Sequence, residues 1–200
     1  MAKRKNNPLD RKEPRRPYRK VCWVSAEGSS ERDYLSMNAF KGLPDATVKF
    51  PVNIHPNRRN PSQVLARFRK SMAKGFRPGD EAWLVVDVDT WDKGEFDEIF
   101  AWAESNPSFH LAISNPKFEL FLVMHFERAN GCTTASVVDE RLKHHMPSYK
   151  KRIRPTQFNA TAITKAVENA RLKRAGCKDR FPQPGTTDAH LLVARCVRYA

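Results

Sequence analysis

Apolar and polar positions along the chain switch repeatedly between two periods. "KVCWVSA" (20–26) is β-branched and aromatic, which predicts a strand that ends at Glu27-Gly28. Ser29 and Ser30 follow as N-cap candidates, and Ser30-x-x-Asp33 is close to a capping box. The helix they open turns Tyr34, Leu35 and Phe40 inward and stops near Gly42-Leu43-Pro44. "TVKFPVNI" (47–54) predicts a second strand, with Pro51 favouring an edge or an early stop. Asn60-Pro61 has the cap-then-proline form that opens a helix, and Val64, Leu65, Phe68 and Met72 recur at helical spacing as far as Gly75. "EAWLVVDVD" (81–89) is a continuous apolar run, the pattern of a strand buried on both faces. A helix is expected at about 94–105, and "FHLAISN" (109–115) is a fourth strand. Asn115-Pro116 repeats the cap-and-proline device, and Phe118, Phe121, Leu122 and His125 share one helical stripe. This alternation predicts an α/β fold with a mainly parallel four-stranded sheet flanked by helices.

The pattern changes after residue 127. "TTASVVDERLKHHM" is expected to be helical, "PSYKKRIRP" is a basic connector, and "NATAITKAVENARLKRAG" is a helix with Gly176 just past its end. "TTDAHLLVARCVRYA" reads as a closing apolar helix docked on the body. The chain therefore divides into a disordered basic arm (1–19), an α/β core (20–130) and a basic helical extension packed on it (131–200).

Charge sharpens this division. Residues 1–20 hold nine Lys/Arg against two acids, and residues 141–180 hold twelve against two, within a net charge of +14. The body between them is net acidic. Basic flanks on an acidic body favour a polyanionic partner, most often nucleic acid; the alternative is that they serve solubility. The arm has too little apolar content to pack, and Pro8, Pro14 and Pro17 oppose helix. The four cysteines form no C-x-x-C pair, Cys22 and Cys196 sit in apolar runs as buried thiols, and a reducing cytoplasm fits. No run reaches the ~18 apolar residues of a membrane span.

Ligands of an open parallel sheet bind beyond the carboxyl ends of its strands. The first strand delivers Glu27 there, the third Asp87 and Asp89, and the fourth Ser114 and Asn115, with Glu119 in the next helical turn. Asp87 and Asp89 point the same way if both are extended, and Glu31 lies one helical turn after Glu27. Clustered carboxylates repel unless a cation neutralises them, and Mg²⁺ or Mn²⁺ takes oxygen ligands while leaving positions for phosphate oxygens. Against this stand plainer readings. A lone D-x-D is common, Glu31 on a helix is usually solvated, Glu119 favours its helix N-terminus, and His125 on an apolar stripe is a hydrogen-bonded core group.

The segments "AEGSSERDYL", "LVVDVDTWD" and "AISNPKFELFLVMHF" resemble the RloB-like proteins, prokaryotic proteins found beside restriction and abortive-infection genes. Tyr149-Lys150 and "GTTDAHLLV" fit the same family order. The first two motifs also resemble the Toprim pattern of topoisomerases, primases and overcoming-lysogenization-defect nucleases. That resemblance implies a Toprim-like fold and Mg²⁺- or Mn²⁺-dependent phosphodiester chemistry in anti-phage defence. Glu27, Asp87 and Asp89 would be catalytic, and Glu27, Glu31, Asp87 and Asp89 would hold metal. Ser114, Asn115, Glu119 and His125 would support the site, and Lys150, Lys151, Arg152 and Arg154 would bind nucleic acid. With no ATPase domain fused, a partner ATPase or restriction subunit is implied. The rival readings are a non-catalytic nucleic-acid-binding or regulatory subunit, and a phosphoryl-transfer enzyme acting on nucleotides.

Overall fold

A computed structural model describes residues 20–26, 28–41, 46–49, 61–88, 91, 93–177 and 179–196. The basic arm, the metal-ligand candidates Glu27 and Asp89, the cap candidate Asn60 and the later part of the second expected strand lie outside them. The elements run β1 (Lys20–Ala26), α1 (Ser29–Leu35), β2 (Ala46–Lys49), α2 (Pro61–Met72), β3 (Glu81–Asp87), α3 (Asp97–Glu104), β4 (Phe109–Asn115) and α4 (Glu119–Val123). They continue with α5 (Ala135–His145), α6 (Ala160–Arg174), β5 (Thr186–Thr187) and α7 (Ala189–Cys196). Among the described residues no helix is long and apolar enough to cross a membrane.

The sheet has the order β2-β1-β3-β4-β5. β1 to β4 are parallel, as their alternation with helices predicts. The fold is α/β with helices on both faces, but the sheet is mixed. Thr186 and Thr187, expected to lead the last helix, instead pair antiparallel with Asn115 and Ser114. Both threonines are buried, and β-branched residues suit a half-buried pleat better than a first helical turn.

Strand alternation sorts the core into two layers. Cys22, Val24, Ala26, Trp83, Val85 and Ala112 face a layer built from α1 and α4 to α7. Trp23, Ala82, Leu84, Val86 and Ile113 face α2 and α3. This is why β3 reads as an unbroken apolar run: both of its faces are covered. Cys22 and Cys196 are buried free thiols within the first layer.

Two helix starts differ from the expectation. The cap of α1 is Gly28, with no side-chain cap bond, because Ser30 and Asp33 spend their side chains on other segments. Asn115 remains in β4, its bond to Pro116 is cis, and α4 spans Glu119–Val123. Elsewhere the caps follow the expected chemistry: Asn159 accepts from the Ala162 N–H at 2.9 Å.

Asp80 ties the start of β3 to β1. It is fully buried and accepts from the Val21 N–H at 3.0 Å, Trp23 Nε1 at 3.1 Å and the Arg77 N–H at 3.0 Å. On the other face Tyr34 is wholly buried, its ring 5.4 Å from Phe40 and 5.7 Å from both Phe118 and Phe121. Its hydroxyl lies 2.9 Å from Nε2 of His125, whose Nδ1 lies 3.0 Å from the Phe121 carbonyl. The carbonyl can only accept, so Nδ1 carries the proton and Nε2 accepts from Tyr34. Burial lowers the His125 pKa to about 4, so the ring is neutral in the folded protein.

Two outcomes follow from these contacts. Asp80→Ala strands three donors and is expected to lower stability by about 3 kcal/mol in urea unfolding; a loss below about 1 kcal/mol would refute the role given to Asp80. His125 titrates near 4 when folded and near 6.5 when unfolded, so its contribution is present above pH ~6.5 and lost as pH falls towards 4. Wild type should therefore lose up to roughly 3 kcal/mol more than His125→Gln across that window, and parallel pH profiles for the two proteins would contradict it.

Candidate functional site

The carboxyl ends of the parallel strands meet at one edge. The register pairs Ala26 with Val85 and Val85 with Ala112, so β1 stops two positions short of the end of β3 and three short of the end of β4. In the order β2-β1-β3-β4 the chain leaves β1 in opposite directions, which puts a topological switch point between β1 and β3. Asp87 falls on the alternation of Trp83 and Val85, the face covered by α1 and α4.

The first turns of α1 and α4 meet across β3. Ser30 Oγ donates to Glu119 Oε1 at 3.2 Å, joining the turn after β1 to the turn after β4. Tyr149, from the basic connector, donates its hydroxyl to the same Glu119 oxygen at 2.9 Å and lies 2.6 Å from Ser30 Oγ. Glu31 and Glu119 are only 3% and 4% exposed. Burial raises the Tyr149 phenol pKa, and the carboxylates of Glu119 and Glu31 raise it further. Tyr149 is thus a neutral donor rather than a nucleophile, and both carboxylates are close enough for it to sense.

Gly28 leaves room for Glu31. A Cβ there would sit 2.6 Å from Glu31 Oε2, inside contact distance. The φ of −114° at Gly28 is open to any residue, so a larger residue there would act only by pushing the Glu31 carboxylate aside.

The connector is laced to α1. Ser29 Oγ donates to the Lys151 carbonyl at 3.1 Å, and Asp33 Oδ2 accepts from the Ile153 N–H at 3.2 Å and pairs with Arg152 Nε at 2.6 Å. The Asn38 N–H donates to the Pro155 carbonyl at 2.9 Å. Lys151 takes a left-handed φ of 56°, a bend in the chain beside the site edge. Lys150, Lys151, Arg152 and Arg154 are all exposed. Arg152 is already paired with Asp33, and Arg154 Nε donates to Gln157 at 3.2 Å.

Of the residues expected at the site, Glu31 and Glu119 come together around Tyr149, and Asp87 shares their face. Ser114 instead bonds Thr187 at 2.8 Å, and Asn115 Nδ2 donates to the Pro182 carbonyl at 2.9 Å, both seating β5 on β4. His125 lies in the aromatic core. Among the described residues no group of three or more His, Cys, Asp or Glu side chains could hold a metal ion. The sequence marks neither Ser30 nor Tyr149 as a site residue; the tyrosine's place beside Lys150 in the family order is the one signal for it. A cleft of about 350 Å³ lies along the amino half of β4, lined by Trp83, Phe100, Phe109, His110, Arg174 and Leu191 among others, and none of the expected site residues borders it.

No curated protein and no solved structure matches the chain. The sequence profile of the RloB-like protein family matches residues 22–195. That span takes in most of β1, the Ser30–Glu119–Tyr149 network and the basic connector, and the chain belongs to the RloB-like family.

Proposed function

We propose that this edge carries a Toprim-like, Mg²⁺- or Mn²⁺-dependent phosphodiesterase that cleaves nucleic acid in prokaryotic defence. The observation that supports it best is the Ser30–Glu119 contact across β3, which gathers two buried carboxylates on the face of the sheet that Asp87 shares. Buried carboxylates in company are costly unless charge is neutralised, and the donor set is all hard oxygen. The residues that would hold the cation are Asp87 of β3 and Glu31 of α1, with Glu27 and Asp89, which follow β1 and β3 in the sequence. When bound, the cation would lower the pKa of a water molecule and offset charge on the phosphate oxygens.

The chain's own groups do the rest. Glu27 is the candidate to accept a proton from the attacking water as it forms a bond to phosphorus and the ester P–O bond breaks. Glu119, held by two hydroxyls, keeps negative charge fixed at the edge. Lys150, Lys151 and Arg154 stand exposed on the adjoining connector, where they would grip backbone phosphates, and nucleic acid is the expected partner. A partner ATPase or restriction subunit would supply regulation.

Three outcomes test this. Purified protein with Mn²⁺ should cleave DNA or RNA, and Asp87→Ala should lower the rate at least roughly 100-fold while oligonucleotide binding persists; binding without any cleavage in the wild type would favour the regulatory-subunit reading. Lys150→Ala with Lys151→Ala should weaken backbone binding and reduce the slope of log affinity against log salt by about 1 to 2, whereas an unchanged slope would remove the connector from the interface. Gly28→Ala should displace Glu31 and weaken Mn²⁺ binding with little change in the unfolding midpoint, since its backbone angles suit alanine. Unaltered Mn²⁺ affinity would take Glu31 out of the ligand set.

A further inference from the structure

We infer that Tyr149 is a positioning residue of this site: its hydroxyl, held between Ser30 and Glu119, couples cation binding at the carboxylate edge to nucleic-acid binding on the basic connector. The inference rests on the phosphodiesterase reading and adds to it a residue outside the expected ligand set.

The geometry supports a coupling role over simple anchoring. The connector already has anchors that ignore the carboxylates. Ser29 holds the Lys151 carbonyl, Asp33 holds Arg152 and the Ile153 N–H, and Asn38 holds the Pro155 carbonyl. Beyond them, Phe158 stacks on His125 with ring centroids 3.9 Å apart. These contacts reach α1, the turn after it, or the core. The Tyr149 hydroxyl instead reaches the buried carboxylate of Glu119 at 2.9 Å, and the next two residues are the exposed Lys150 and Lys151.

Both hydroxyls converge on one oxygen, Glu119 Oε1. A carboxylate gripped through one oxygen has its plane and its other oxygen fixed, which is how outer hydrogen bonds orient charged groups around a cation. A cation held at this edge would pull on the Glu119 charge, and that pull would be felt at Tyr149 and passed one residue along to Lys150. By linkage the reverse holds: a phosphate backbone that settles on Lys150 and Lys151 biases Glu119. The left-handed bend at Lys151 keeps this route short, because Ser29 pins that residue's carbonyl to the first residue of α1.

The experiment compares dissociation constants of a labelled single-stranded oligonucleotide, RNA and DNA in turn, in Mn²⁺ and in EDTA. Wild type should bind roughly fivefold or more tightly with Mn²⁺, and in Tyr149→Phe that ratio should fall to near one. Ser30→Ala, which removes the second hydroxyl and leaves the phenol, should give an intermediate ratio and keeps the question open to test if Tyr149→Phe folds poorly. A residue that merely anchored the connector would weaken both measurements alike and preserve the ratio, and that result overturns the inference. Wild-type cleavage with no Mn²⁺ effect on affinity also overturns it while leaving the phosphodiesterase reading intact. Absence of both cleavage and a Mn²⁺ effect overturns the two together.

Discussion

The parallel register of β1, β3 and β4 is the constraint on which the rest of this protein depends. β3 is covered on both faces, so every interior side chain from Ala82 to Val86 is apolar and the strand cannot slip by one residue without reversing two packed layers. Asp80 fixes the start of that register by tying the backbone and indole of β1 to the turn before β3. Once the starts are aligned, the carboxyl ends and the first turns of α1 and α4 are aligned as well.

That alignment explains how residues distant in sequence share a few ångströms. Ser30 and Glu119 each occupy a first helical turn after a parallel strand, and the strand between theirs is β3. The connector adds Tyr149 from a third direction, carrying exposed lysines beside a buried acidic edge. The positive charge thus stays on the exposed connector and the buried carboxylates stay beneath it. Lysine side chains among them would neutralise the carboxylates themselves. Lys117 obeys the same rule: although nearly buried, it pairs with Asp139 of α5 at 2.6 Å.

The core shows how a polar group can be part of packing. Tyr34 donates to His125 Nε2, and His125 Nδ1 donates to the Phe121 carbonyl, within an aromatic cluster that includes Phe158 of the extension. The extension thereby joins the α/β body through the same layer that supports α1. Its burial makes His125 neutral, which suits a structural donor and acceptor in an apolar setting.

Local periodicity was enough to determine β1, β3, β4, α2 and α6 nearly to their ends, because strongly patterned segments bury one face or both whatever surrounds them. Asp87 and Glu31 were legible as candidates for a related reason: acids that interrupt an apolar strand or open the next helix stand out by position. What the sequence could not determine was the partner of each polar side chain. Ser30 reads as a helix cap and Asp33 as half of a capping box, yet both reach the connector more than a hundred residues away. Ser114 and Asn115 read as an edge of the site, yet they seat β5, a strand too short for any periodicity to announce. Hydrophobic pattern is a local property repeated along the chain, whereas a hydrogen bond between distant segments exists only after the sheet has brought their ends together.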